Sequence, residues 1–146
     1  MTRRRHSQRG NALIEFALTF TVLFPLFYGT FEFGYAFYVY NQLVNAARSG
    51  ARYASLETYS SSTSDPTAGF TGAVQNVVVY GQTTAQTKPL VPGLTAANVV
   101  VSAGFVNQVP ATVTVAISGY PLNAVFRTFI LNSPSVTFPY TGRYAP

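Results

Sequence analysis

Twenty consecutive residues, Ala12 to Phe31, contain a single charged side chain, Glu15. No other stretch restricts this chain so strongly. Roughly 20 predominantly apolar residues in a helix cross the hydrocarbon core of a bilayer. The apolar character persists to Tyr40, interrupted by Glu32, and between Arg9 and Arg48 these two glutamates are the only charged residues. A carboxylate at the centre of a membrane helix costs roughly 2.5–3.5 kcal/mol on insertion scales, and less towards the interface. Glu15 therefore has to be needed for something.

The rest of the composition agrees with an anchored protein. The chain has 146 residues, 48% of them hydrophobic and 9% charged, against roughly 25% charged in an ordinary soluble domain. The formal charge of +5 is unevenly placed: Arg3, Arg4, Arg5 and Arg9 precede Asn11, and the later basic residues are scattered among Glu15, Glu32, Glu57 and Asp65. A nucleic-acid face needs clustered Lys and Arg to neutralise several phosphates, so nucleic acid is not an expected partner. There is no cysteine, which excludes disulfides, thiolate nucleophiles and Cys-based zinc sites.

Residues 1–10 form a basic leader that should stay cytoplasmic under the positive-inside rule, placing the C-terminal part outside. Several export signals compete. A cleaved secretory signal has an apolar core of about 7–15 residues followed by a small-x-small site. Here the run is longer and leads into Tyr28-Gly29-Thr30-Phe31-Glu32. The Arg3-Arg4 pair as a twin-arginine signal meets the same objection. An uncleaved anchor fits the length but leaves Gly10 and Glu15 without a role.

A basic leader, Gly10, a junction at Asn11, and then Glu15-Phe16 at the head of the apolar run resemble a prepilin peptidase site. More narrowly, Arg9 to Ala54 resembles the TadE/TadF family of pilin-like proteins of the tight-adherence (Flp pilus) system. The resemblance implies cleavage between Gly10 and Asn11, which makes Glu15 the fifth mature residue. It also implies that Glu15 and Phe16 serve subunit assembly, the carboxylate pairing with the new α-amine of a neighbouring subunit. The implied partners are a prepilin peptidase, other Tad/Flp pilins and pilus-assembly proteins, and the bacterial inner membrane. Major Flp pilins carry Glu-Tyr at the matched positions and are very short. The Glu15-Phe16 pair and the long extension of this chain point to a minor, pseudopilin component.

The expected organisation is a leader (1–10), a long N-terminal helix (11–57) with a transmembrane segment at about 12–40, a flexible Ser-rich linker (58–66), and a small exported domain (67–146). Pro25 should kink or loosen the helix, a feature membrane helices tolerate. Tyr28, Phe31, Phe33, Tyr35, Phe37, Tyr38 and Tyr40 form an aromatic zone at the outer boundary. Beyond it, Leu43, Ala47, Gly50 and Ala54 share one helix face, while Arg48 and Arg52 lie on a solvated one.

In the exported part, Asp65 and Pro66 are expected to open a short helix with Ala73, Val74, Val77 and Val78 inward and Gly81 at its end. Val77–Tyr80 also reads as the start of a strand. Strands are expected at Val99–Ser102, Thr112–Ile117 and Ser135–Phe138. Val125–Leu131 reads as a short helix or loop with Phe126, Phe129 and Ile130 packing inward. The fold class is α+β and pilin-like: a long N-terminal helix packed on a small antiparallel sheet, which the exported domain needs to complete its core.

No catalytic set is apparent. The only histidine, His6, lies in the leader, and the exported acids reduce to Glu57 and Asp65. These support neither a carboxylate pair nor a metal cluster, and no histidine remains to activate a serine. No enzyme activity, cofactor, metal or small-molecule substrate is expected. The alternative function is an uncleaved single-span anchor presenting an outward-facing binding module.

Overall fold

The computed structural model describes residues 8–124 and 128–146. The expected leader residues Arg3, Arg4, Arg5 and His6, and Val125 and Phe126 of the ambiguous segment, lie outside the described residues. The elements are α1 (Gln8–Leu56), α2 (Ala68–Tyr80), a 3-10 turn (Ala96–Asn98), β1 (Val99–Val106), β2 (Val109–Ile117), β3 (Tyr120–Asn123), β4 (Thr128–Leu131) and β5 (Ser135–Pro139). The class is α+β, as expected. The chain divides into two compact units, one up to Tyr35 and one from Ala36 to Pro146.

The first unit is the apolar part of α1. Every residue from Asn11 to Phe27 is exposed, and the helix is long and apolar enough to cross a membrane. So large an apolar surface is not left in water. Phe16, Phe20, Phe24 and Tyr28 recur every fourth residue and stack as a ladder, with successive ring centroids 6.0, 5.2 and 6.4 Å apart. The helix passes through Pro25 without a break. Nearby threonines turn their hydroxyls onto the backbone, Thr21 Oγ1 donating to Ala17 O at 2.7 Å and Thr30 Oγ1 to Leu26 O at 2.9 Å.

The second unit has one core. Val39, Leu43, Ala46, Ala47, Ala51 and Ala54 of α1 are buried in it, so the expected small-residue face is the packing face. Against it sit Phe70, Val74 and Val78 of α2, and the inward rows Val99, Val101 and Ala103 of β1 and Val113, Val115 and Ile117 of β2. Burying a Val or Leu side chain fully contributes roughly 1.5–3 kcal/mol. The core therefore depends on α1 as well as on the sheet. Gly50 is the point of closest approach: a Cβ there would collide with the Val78 side chain.

β1, β2 and β5 form an antiparallel sheet in that order. The first two are longer than the sequence indicates and meet through Asn107-Gln108, both at positive φ (51° and 64°), the geometry of a two-residue hairpin turn. α2 replaces the strand alternative for Val77–Tyr80. It ends as expected at Gly81, whose φ of 75° suits glycine because no Cβ opposes it.

Its start differs from expectation. The N-cap is Thr67, and Asp65 with Pro66 lies ahead of the helix. Ser61 Oγ donates to Asp65 O at 2.8 Å, and Ala103 N–H donates to Ser64 O at 2.9 Å. These bonds hold the serine run against the edge of β1 and delay the first helical turn.

The segment Val125–Leu131 also departs from expectation. Thr128–Leu131 is a strand paired with β3, and Ile130, opposite Pro121 and 61% exposed, faces outward instead of inward, whereas the partly exposed Phe129 shares the face of its buried partner Leu122. Side chains from elsewhere hold the turn into this ribbon. Asn98 Nδ2 donates to Gly119 O at 2.9 Å, and Asn132 Oδ1 accepts from Gly119 N–H at 2.8 Å.

Residues 140–145 fasten the end of α1. Thr141 N–H donates to Ser55 O at 2.9 Å, Tyr59 N–H to Arg143 O at 2.9 Å, and Ala145 N–H to Tyr59 O at 2.9 Å. Tyr140 Oη donates to Glu57 O at 2.7 Å. Burial pushes the Tyr59 hydroxyl above its ordinary 10.0, with hydrogen bonding from Ser61 opposing. Burial likewise raises Tyr140.

Two expectations follow. Gly50→Val should destabilise the second unit by about 1–3 kcal/mol, as overpacked cores do. Gly72→Ala, which meets nothing within 4 Å, should stabilise α2 by up to about 1 kcal/mol. Melting of the detergent-solubilised full chain measures both. A raised tyrosine pKa also means that the neutral form is favoured by folding, so its contribution is complete below the unfolded value of 10.0 and lost as pH climbs through the folded value. The melting temperature should hold from neutrality to pH 9 and fall above pH 10, and Tyr140→Phe should flatten that fall.

Candidate functional site

The expected site residues all lie at the start of α1. Gly10 and Asn11 are in its first turn, where backbone N–H groups have no acceptor within the helix. Glycine in a helix costs about 1 kcal/mol relative to alanine, so the Gly10–Asn11 junction sits in the part of α1 that opens most easily. Asn11 and Glu15 are four residues apart and therefore neighbours on one face. Gly10, Asn11, Glu15 and Phe16 are all exposed. Phe16 heads the aromatic ladder through its stack on Phe20.

The two glutamates of the apolar segment differ in their surroundings. Glu32 is half-buried and one turn from Tyr28, with whose hydroxyl it interacts. Glu15 has no such neighbour among the described residues. Its own chain offers no aromatic hydroxyl within a turn on either side. Sequence reading did not find the Tyr28–Glu32 pair, although the i, i+4 spacing was there to be seen.

The remaining polar groups do not gather into a site. Arg48 and Arg52 are exposed. Arg48 lines an open groove of about 520 Å³ with Tyr40, Asn41, Val44, Pro134 and the β5 residues Ser135, Val136 and Thr137. Glu57 Oε1 accepts from Thr58 N–H at 3.2 Å at the end of α1. The Tyr53 hydroxyl nearby is raised, first by burial and then by hydrogen bonding to Glu57. Among the described residues, no three His, Cys, Asp or Glu side chains are grouped to hold a metal.

An apolar helix with a compact α+β unit after it defines a single-pass membrane-anchored protein. Within that class, residues 10–52 match the family model described as TadE-like protein. This segment is thus similar to that family where the resemblance was read. The match starts at Gly10, takes in Glu15-Phe16 and extends onto the small-residue face. It supports involvement in the Tad pilus system in general, and the family is not one of enzymes. No curated protein and no solved structure gives a match.

Because Glu15 is exposed and without a partner among the described residues, Glu15→Ala should leave the melting of the second unit within about 0.5 kcal/mol of the parent, as surface changes do. Unchanged melting separates any assembly defect of this variant from misfolding.

Proposed function

We propose that the chain is a minor, pseudopilin component of Tad/Flp pilus assembly, processed by a prepilin peptidase and supporting pilus biogenesis and adherence. The observation that carries this reading is the TadE-like match over residues 10–52, which begins at the glycine of the junction. Hydrolysis of the Gly10–Asn11 bond leaves the Gly10 carboxylate on the leader and a free amine on Asn11. The arginines of the leader keep that junction cytoplasmic, and the second unit faces the periplasm or the exterior.

The new amine and Glu15 supply opposite charges at one level of the bilayer. An unpaired charge in a low-dielectric bundle costs several kcal/mol, and pairing between subunits offsets much of it. Glu15 then acts as a register key: subunits that slip along one another lose the pair. Phe16 begins the ladder that gives the same helix its apolar contact surface. The partners are the peptidase, the other Tad/Flp pilins and assembly proteins, and the inner membrane.

Intact-mass analysis of the protein from a host containing the peptidase tests the first step. A mature terminus at Asn11 is expected, and an intact basic leader overturns the reading in favour of an uncleaved anchor. Glu15→Ala should still be cleaved but should no longer co-purify with pilus-assembly partners. Normal co-purification would remove Glu15 from the assembly role.

A further inference from the structure

The two edges of the three-stranded sheet are finished differently. At β1, Ala103 N–H donates to Ser64 O at 2.9 Å and Gln75 Nε2 donates to Val99 O at 3.1 Å. The serine run and α2 thus occupy that edge. β5 is the other edge. Its ladder to β2 is bounded by Tyr140 N–H on Ala111 O and Ile117 N–H on Pro134 O, both at 2.8 Å. Bonded pairs alternate along an antiparallel ladder. Val136 and Phe138 therefore turn their backbone groups to β2, and Ser135 and Thr137 turn theirs away. Both of the latter are exposed, and among the described residues their backbone N–H groups have no acceptor.

An unpaired edge is a template for another strand, and proteins blunt such edges with charge or proline. Pro134 and Pro139 bracket this one, which shortens it but leaves Ser135–Thr137 open. The groove between β5 and α1 lies beside it, with Tyr40, Val44 and Arg48 on the helix side. A strand added to β5 would lie about 4.8 Å away and send alternate side chains into that groove.

Arg48 says what those side chains should be. From Ala36 onward the acids are Glu57 and Asp65. Glu57 sits at the end of α1 on Thr58 N–H, and Asp65 belongs to the serine run at the β1 edge. Arg48 is exposed and has no carboxylate partner among the described residues.

We propose that the β5 edge and its groove dock an extended segment of another protein, which adds as a fourth strand and sets an acidic side chain on Arg48. In strand addition the main-chain bonds, here to Ser135 and Thr137, supply affinity, and alternate side chains supply specificity. The specific contacts are apolar residues over Tyr40 and Val44 and a carboxylate on the guanidinium, which can bind it through two parallel bonds. A second copy is a poorer occupant. Its own β5, Ser135–Pro139, brings no acid, and the pairing would set two Arg48 side chains along one seam. The inference concerns the second unit alone and is independent of cleavage at Gly10.

Random decapeptides displayed on phage, panned on the detergent-solubilised full chain, test it. The selected sequences should alternate apolar residues and hold one Asp or Glu at a fixed place. A synthetic peptide of that sequence should slow amide exchange at Ser135 and Thr137 and leave Val136 unchanged. Replacing its acid by the amide should weaken binding about tenfold, as loss of a charge-assisted bond does. Arg48→Glu should make panning select Lys or Arg at the same place. Thr137→Pro removes an outward N–H where an edge strand tolerates proline and should also weaken binding, whereas Thr137→Val should not. Arg48→Glu changes an exposed side chain, so it carries the test if Thr137→Pro fails to fold. Failure to select any sequence overturns the proposal, as does a peptide that binds Arg48→Glu as well as the parent. A parent dimer that Thr137→Pro dissolves overturns it too, because the edge then belongs to a second copy.

Discussion

One helix has to satisfy two solvents. Up to Tyr35, α1 turns apolar side chains outward on every face, which only a hydrocarbon surrounding tolerates. From Ala36 the same helix has a buried face of small residues and an exposed face with Arg48 and Arg52. The sheet and α2 exist around that second half. A three-stranded sheet with one short helix has too little apolar area to stand alone, and Leu43, Ala47, Ala51 and Ala54 supply what is missing.

The smallness of those residues sets the packing distance. Alanines and Gly50 let α2 approach until Val78 occupies the space of the missing Cβ. Leucines on this face would add apolar area but hold the two helices apart. The TadE-like match extends to Arg52, across most of this face. What is similar to the family is therefore both the apolar segment with its junction and the surface on which the second unit is built.

Much of this was readable in the residues, for identifiable reasons. The apolar run, the spacing of Leu43, Ala47, Gly50 and Ala54, and the alternation of Val113, Val115 and Ile117 are local patterns with a single period, and each became the element it indicates. The β3–β4 ribbon was not readable, because its strands are four residues each, β3 contains Pro121, and the turn leading into it at Gly119 is held by Asn98 and Asn132 from other parts of the chain. The start of α2 moved from Asp65 to Thr67 through a bond from Ala103, thirty-eight positions further along. The turn at Asn107-Gln108 has no glycine to announce its positive φ. At the candidate site the residue types and spacing of Gly10, Asn11, Glu15 and Phe16 were legible, because a motif is a property of sequence. The contrast between exposed Glu15 and Glu32, half-buried beside Tyr28, needed coordinates.

The fastening of Tyr140–Ala145 onto the last turn of α1 has a mechanical side. Tension drawn along α1 from its apolar end meets the buried face Val39–Ala54 first, and what passes on to Ser55–Tyr59 meets the backbone of residues 141–145, bonded there with the two segments parallel at Tyr59 and Tyr144. Hydrogen bonds in that arrangement share a pull as shear instead of parting one after another, and β5 carries the strain on into β2. The far end of α1 is thereby tied into the sheet and not left to fray.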